Sequence, residues 1–168
     1  TTMLDEVYAL GFRNPHTMSF NQAADGAVHL INSGVGRDNF DEINIVEKGG
    51  NYGWSDREGP LVHNTAGGGL ANGVTPLPAN EAEFDYIYPA AFYGHDGCVG
   101  QGFGGQAWAG GHVISNGSEL DGQYIAGDFG NSGRIFTVSL DDLLAAATTV
   151  AQGEDPATAL DWAELGEV

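Results

Sequence analysis

The chain has 168 residues, of which 42% are apolar and 17% charged, and it carries 23 acidic against 5 basic side chains for a net charge of −18. That size and composition support one domain with a core and exclude a disordered tail. With no uninterrupted apolar window near ~18 residues, they also exclude a membrane-spanning helix. So acidic a surface repels phosphate backbones and argues against nucleic acid as a partner. The single cysteine, Cys98, excludes an intrachain disulfide and cysteine-based zinc or iron–sulfur centres.

In chain order, the first six residues lack the basic and apolar regions of an export signal. Residues 7–10 read as a short strand. They lead into Gly11-Phe12-Arg13-Asn14-Pro15, which puts a cation and an amide on a proline-terminated turn. Alternating segments at 17–20 and 27–32 flank Asp25-Gly26, a hairpin signal. Residues 33–39 read as a loop. A strand over 42–47 opens on Asp41-Glu42 and ends in the glycine-rich corner Gly49-Gly50-Asn51-Tyr52-Gly53-Trp54. The Gly-, Ala- and Pro-rich stretch 64–79 is the longest irregular insert. Further strands are expected over 86–93, 105–109, 123–128 and 134–140. One helix is expected over 140–150, with Ser139 and Asp142 spaced as a capping box. The acidic closing stretch 153–168 is expected to wrap the surface. Gly totals 27 residues, many of them between the short strands, which is the pattern of an all-β protein with frequent turns: a sandwich, barrel or propeller.

The choice among these comes from a resemblance. The Arg13-Asn14-Pro15 turn and the segment from Asp41 to Trp54 come first. They are followed by Tyr93-Gly94-His95-Asp96-Gly97, Gly105-Gln106-Ala107-Trp108-Ala109-Gly110, the run from Leu120 to Phe129, and Gly133-Arg134-Ile135-Phe136. In this order they resemble the later half of the glucose/sorbosone dehydrogenase family, soluble sugar dehydrogenases that use pyrroloquinoline quinone (PQQ) and calcium on a six-bladed β-propeller. Hedgehog-interacting proteins share that propeller and are binders. The resemblance implies an all-β fold, about half of a six-bladed β-propeller with short four-stranded antiparallel blades. Residues 1–168 would then form the C-terminal portion of that propeller, a single incomplete domain. Half a ring leaves apolar faces bare, so the remaining blades or a second copy of the chain is the expected partner.

The resemblance also implies a site. Arg13, Asn14 and Arg134 match residues that contact the quinone or substrate, and a guanidinium's fork of donors suits quinone oxygens. Two consecutive loop carbonyls would bind the calcium that polarises PQQ. Counting back from Asp41-Glu42 gives Gly36 and Arg37, and counting forward from Asn14 gives Gly34 and Val35. Glu42, with carbonyls near Tyr52 and Glu58, would hold a second calcium, in keeping with that ion's preference for oxygen ligands. Read from the residues alone, the same groups are a strand cap and a packed blade corner, and Arg13 is a turn residue satisfying loop carbonyls. Ala109 stands where the enzymes carry a Lys. None of the five His residues (16, 29, 63, 95 and 112) matches the family's catalytic base, so no catalytic residue is expected in this chain, and His95 is expected to be structural. The implied activity of the parent is oxidation of an aldose at its anomeric carbon to the lactone, in the periplasm or outside the cell. The alternative is a non-catalytic propeller that binds a protein or glycan.

Overall fold

The computed structural model describes residues 4–64, 73–95, 105–130, 133–151 and 166–167. Strands β1 (Thr17–Gln22), β2 (Val28–Gly34) and β3 (Phe40–Val46) run as a meander, which β7 (Ala91–Gly94) completes on the far side of β3. Strands β8 (Trp108–Val113), β9 (Gln123–Asp128), β10 (Ile135–Ser139) and β11 (Gly166–Glu167) form the second sheet. Between them in sequence lies a small sheet of β4 (Arg57–Glu58), β5 (Leu61–His63) and β6 (Val74–Thr75). Every strand pairing within these sheets is antiparallel. The all-β class with short four-stranded antiparallel blades, expected for part of a propeller, is what the structure shows.

The β1–β2 hairpin closes at Asp25-Gly26 as its sequence predicts. Gly26 takes a positive φ of 89°, and the Ala27 N–H donates to Asp25 Oδ1 at 2.9 Å. Alternation then sets the faces, since successive side chains of a strand point to opposite sides. Ser19 and Asn21 of β1 are buried, while Met18 and Phe20 are exposed. β8 packs against β1 and β2, so the inward faces of the two sheets share one core: Ile31 and Ile43 with Tyr93, Trp108, Tyr124 and Phe136. The Tyr93 and Trp108 rings stack at 5.6 Å with no exposure at either residue. Truncating a fully buried aromatic of this kind costs about 3–5 kcal/mol.

Helix α1 (Leu140–Ala151) begins as expected. The Asp142 N–H donates to Ser139 Oγ at 3.0 Å, and that hydroxyl donates to Asp142 Oδ2 at 2.6 Å. Leu140, Leu143 and Ala146, three residues apart, are buried in the shared core. Other boundaries move. Residues 7–10 contribute only a bridge from Leu10 to Asn51. The strand expected over 86–93 is confined to Ala91–Gly94. The one expected over 105–109 begins at Trp108, because Gly105 forms an isolated bridge with His95 and lies flat on the Tyr93 ring, where a Cβ would fall 1.7 Å from a ring carbon. Residues 74–75 of the expected irregular insert form β6. Residues 65–72, Cys98 and most of the 153–168 tail lie outside the described residues.

Candidate functional site

A shallow cleft opens where the Arg13-Asn14 turn, the end of β2, β3 and the Tyr52–Trp54 corner meet. Arg13, Asn14, Gly36, Glu42, Tyr52 and Glu58 all line it. Its interior holds about one water-sized body, roughly 10 Å³, which suits an ion or a water rather than an organic ring system. Two of the residues singled out in the sequence lie elsewhere. Arg37 turns toward Asp38 (3.2 Å) and His63 (3.4 Å). Arg134 lies just before β10 and donates to the Tyr93 hydroxyl at 3.3 Å.

Arg13 is anchored by the loop it faces. Its Nη1 donates to the Val35 carbonyl at 3.2 Å and to the Gly36 carbonyl at 2.6 Å. Two consecutive carbonyls therefore do converge on one cation, in a register between the two countings from sequence. That cation is the guanidinium. A divalent ion on the same pair would meet Arg13's charge, so as arranged these carbonyls do not fit calcium. Gly36 is obligatory here: a Cβ would fall 1.7 Å from the Phe40 carbonyl oxygen.

Beneath the loop, Glu58 is buried and saturated. Its Oε1 accepts the N–H groups of Arg37, Asp38 and Asn39 at 2.8 Å each and that of Phe40 at 3.4 Å, and Oε2 accepts Asn39 Nδ2 at 2.9 Å. Burial pulls its carboxyl upward, yet these donors outweigh burial and hold it below the ordinary carboxylate value. A carboxylate so engaged shapes the loop and has little left to give a metal.

Glu42 is the reverse case. Among the described residues it receives only the Gly59 N–H at 2.7 Å and Asn44 Nδ2 at 3.2 Å. Burial, with Glu58 and Asp41 nearby, pushes its carboxyl up to about 7 against the lowering by those two donors. Tyr52 packs the corner: its hydroxyl donates to the Ile45 carbonyl at 2.6 Å and accepts the Glu47 N–H at 2.9 Å, while its ring stacks on Phe12 at 4.4 Å. Burial raises its phenol to about 12, so it stays neutral.

Asp41, next in the strand, points into the core. It accepts the Gly36 N–H and the Trp108 N–H at 2.8 Å each and pairs with His95 Nε2 at 2.7 Å. Burial opposes charge on His95, but Asp41 prevails and its pKa is raised. His95 is structural here, as its turn motif predicts, and so is His63, whose Nδ1 lies 2.9 Å from the Ser55 carbonyl. Sequence reasoning missed Asn32, which lines the cleft, and Asn44, its cross-strand partner, both at fully buried positions. Their only signal is polarity inside otherwise apolar strands. Among the described residues no three His, Cys, Asp or Glu side chains gather as a metal cluster.

The resemblance to the glucose/sorbosone dehydrogenase family holds over residues 1–70, which match that family's model. The HIPL1 protein of Arabidopsis thaliana is 34% identical over 91 residues, 54% of this chain and 12% of that protein. Quinoprotein glucose dehydrogenase B of Acinetobacter calcoaceticus is 39% identical over 57 residues, 34% of this chain and 11% of that protein. The PQQ-bound aldose sugar dehydrogenase of Streptomyces coelicolor is a solved structure with a TM-score of 0.47 and 20% identity, covering 80% of this chain and 28% of the other. The chain thus spans about an eighth of the length of the curated relatives.

Proposed function

We propose that this chain is the C-terminal portion of a PQQ-dependent sugar dehydrogenase propeller whose parent oxidises an aldose at its anomeric carbon to the lactone, in the periplasm or outside the cell. The observation that carries this reading is the exposed Arg13-Asn14 turn, which stands at the rim of a cleft that also brings together Gly36, Glu42, Tyr52 and Glu58. The family match over residues 1–70 and the 39% identity to a quinoprotein glucose dehydrogenase support it.

PQQ, when bound, would accept the hydride leaving the sugar's anomeric carbon. Arg13 and Asn14, both exposed at the cleft rim, would receive the cofactor's oxygens. Arg13 also fixes the loop of Val35 and Gly36 through its two carbonyl contacts. Glu58 holds the next four residues of that loop from below. Arg134 stands apart, just before β10, and its place in the pocket is part of the proposal. Glu42, enclosed and with two donors among the described residues, is the carboxylate that the family resemblance would give to calcium.

The test is a titration of the intact chain with PQQ in the presence of calcium, followed by the cofactor's absorbance. Binding is expected to weaken by at least about tenfold in Arg13→Ala, the loss of one charge-assisted contact. Absence of PQQ binding would sink the enzyme reading. It would leave the second reading, a non-catalytic propeller that binds a protein or glycan, which Ala109 favours by offering no cation to a quinone.

A further inference from the structure

Residues 114–122 join β8 to β9 in a loop built on one carboxylate. Asp121 Oδ1 accepts the N–H groups of Asn116 at 2.8 Å and Gly117 at 2.9 Å, and the Asp121 N–H donates back to the Ser118 carbonyl at 3.0 Å. Gly117 takes the left-handed φ of 71° that this curl needs. Asn116 Oδ1 accepts the Ser118 N–H at 3.0 Å, a turn closed by its own side chain. The loop is thus held from beneath while its outer side stays open. Asn116, Gly117 and Ser118 are all exposed, and a Cβ at Gly117 or Gly122 would meet nothing within 4 Å.

Turn chemistry uses the amide oxygen of Asn116 and leaves the amide nitrogen over: among the described residues Nδ2 donates to no partner, while Oδ1 is fixed. The sequence gives that nitrogen a use. Of all the asparagines in the chain, Asn116 alone stands two residues before a Ser or Thr with no Pro between them. Asn-x-Ser/Thr is the acceptor pattern for N-linked glycans, and it counts only on an accessible surface segment of an exported chain. The 114–122 loop supplies the accessible segment.

Its place also leaves the cleft free. β8 runs beside β1 in the same direction: Thr17 Oγ1 donates to the Gly110 carbonyl at 3.0 Å, and the Val113 N–H donates to Asn21 Oδ1 at 2.8 Å. Thr17 pairs with Ser33 at the cleft end of the first sheet, and Gln22 with Val28 beside the Asp25-Gly26 turn. Leaving β8 after Val113, the loop therefore opens at the hairpin end, away from Arg13 and Asn14.

We propose that Asn116 is the acceptor of an N-linked glycan, transferred from a polyprenyl-phosphate-linked oligosaccharide. Asn116 Nδ2 gives up a proton and bonds to the anomeric carbon of the first sugar. The bond from that carbon to the phosphate oxygen breaks, and the lipid phosphate leaves with the electron pair and takes up the proton. Ser118 supplies the hydroxyl by which the transferring enzyme reads the site. The inference rests on the reading of the parent as exported and adds a modification to it.

The test is peptide mass spectrometry on the intact chain, given an export signal, secreted by yeast and recovered folded from the medium. The peptide holding Asn116 is expected to carry the glycan, and peptide N-glycosidase to remove it and leave an aspartate in its place. Ser118→Ala and Asn116→Gln are expected to lose the glycan entirely, and Ser118→Thr to keep it. A bare Asn116 in the folded, secreted chain overturns the proposal, as does a glycan that persists in Ser118→Ala. The same peptide map on the parent from its own cells separates the two readings. Parent found outside the cytoplasm with Asn116 bare overturns the glycan alone, whereas parent confined to the cytoplasm overturns the exported reading and the glycan with it.

Discussion

Glu42 and Glu58 line one cleft, and their surroundings push them in opposite directions. Glu58 lies in a curl of backbone N–H groups, whereas Glu42 is enclosed with few donors and a carboxyl raised to about 7. A group whose folded pKa exceeds its unfolded value binds more protons folded than unfolded. Stability therefore falls as pH rises from about 4.5 to about 7, and the penalty is complete above that. The penalty is on the order of 3 kcal/mol in the cation-free chain. In chelator, denaturation midpoints are expected to drop across this window, and Glu42→Gln to flatten the slope and be the more stable protein at pH 8. A wild-type chain equally stable at pH 5 and pH 8 in chelator would show that Glu42 is well solvated. The sequence pointed to Glu42 and Glu58 as a pair but not to their contrast. The contrast depends on which loop curls over which carboxylate, and Asp41-Glu42 looks the same as a plain strand cap. Asn32 and Asn44 were hidden for a related reason: alternation tells which side a residue takes, not whether its amide finds a donor.

At the level of elements, strands with clear alternation and turn residues were legible. β9 begins and ends where its pattern predicts, and the β1–β2 hairpin and the Ser139 cap follow from local chemistry. β4, β5 and β6 were not legible, because two- and three-residue strands are set by pairing partners rather than by periodicity. The join between the sheets was equally invisible. Asp41 on β3 ties His95, just past β7, to the Trp108 N–H at the start of β8, so one buried carboxylate links both sheets. Asp41→Asn leaves His95 without its counter-charge and is expected to cost about 3 kcal/mol or more. The measurement is the urea midpoint at constant m-value. Because Asp41 raises the His95 pKa, its stabilising effect is full below about 6.5 and declines as pH rises through the elevated folded value. The gap between wild type and Asp41→Asn should therefore be widest in mild acid. A change under ~1 kcal/mol at pH 6 would mean that the N–H contacts, not the ion pair, hold the sheets.

Among the described residues, one face of the first sheet is left bare at β1 and the start of β2. Met18, Phe20 and Val28 are 61%, 75% and 62% exposed, and the β1–β2 register puts all three on the side of the sheet opposite the shared core. Farther along that side Asn32 and Asn44 are buried, so the cover is partial and stops short of β1. Soluble monomers seldom leave a contiguous apolar strip on a sheet uncovered, and blades of a propeller bury such strips against their neighbours. The family resemblance leads to the same expectation, since half a ring would end in open faces. Which strand carries the open face came only from the register. In isolation the chain is expected to associate through β1 and β2. Light scattering should give a mass above the 17.5 kDa of one chain, and replacing Phe20 with Lys should lower it by placing charge in the middle of the strip. The substitution leaves the core side of β1, Ser19 and Asn21, untouched, so circular dichroism should be unchanged. A well-folded wild-type chain at the mass of one copy, across micromolar concentrations, would show that these three side chains are tolerated in water and that neither the remaining blades nor a second copy is needed to cover them.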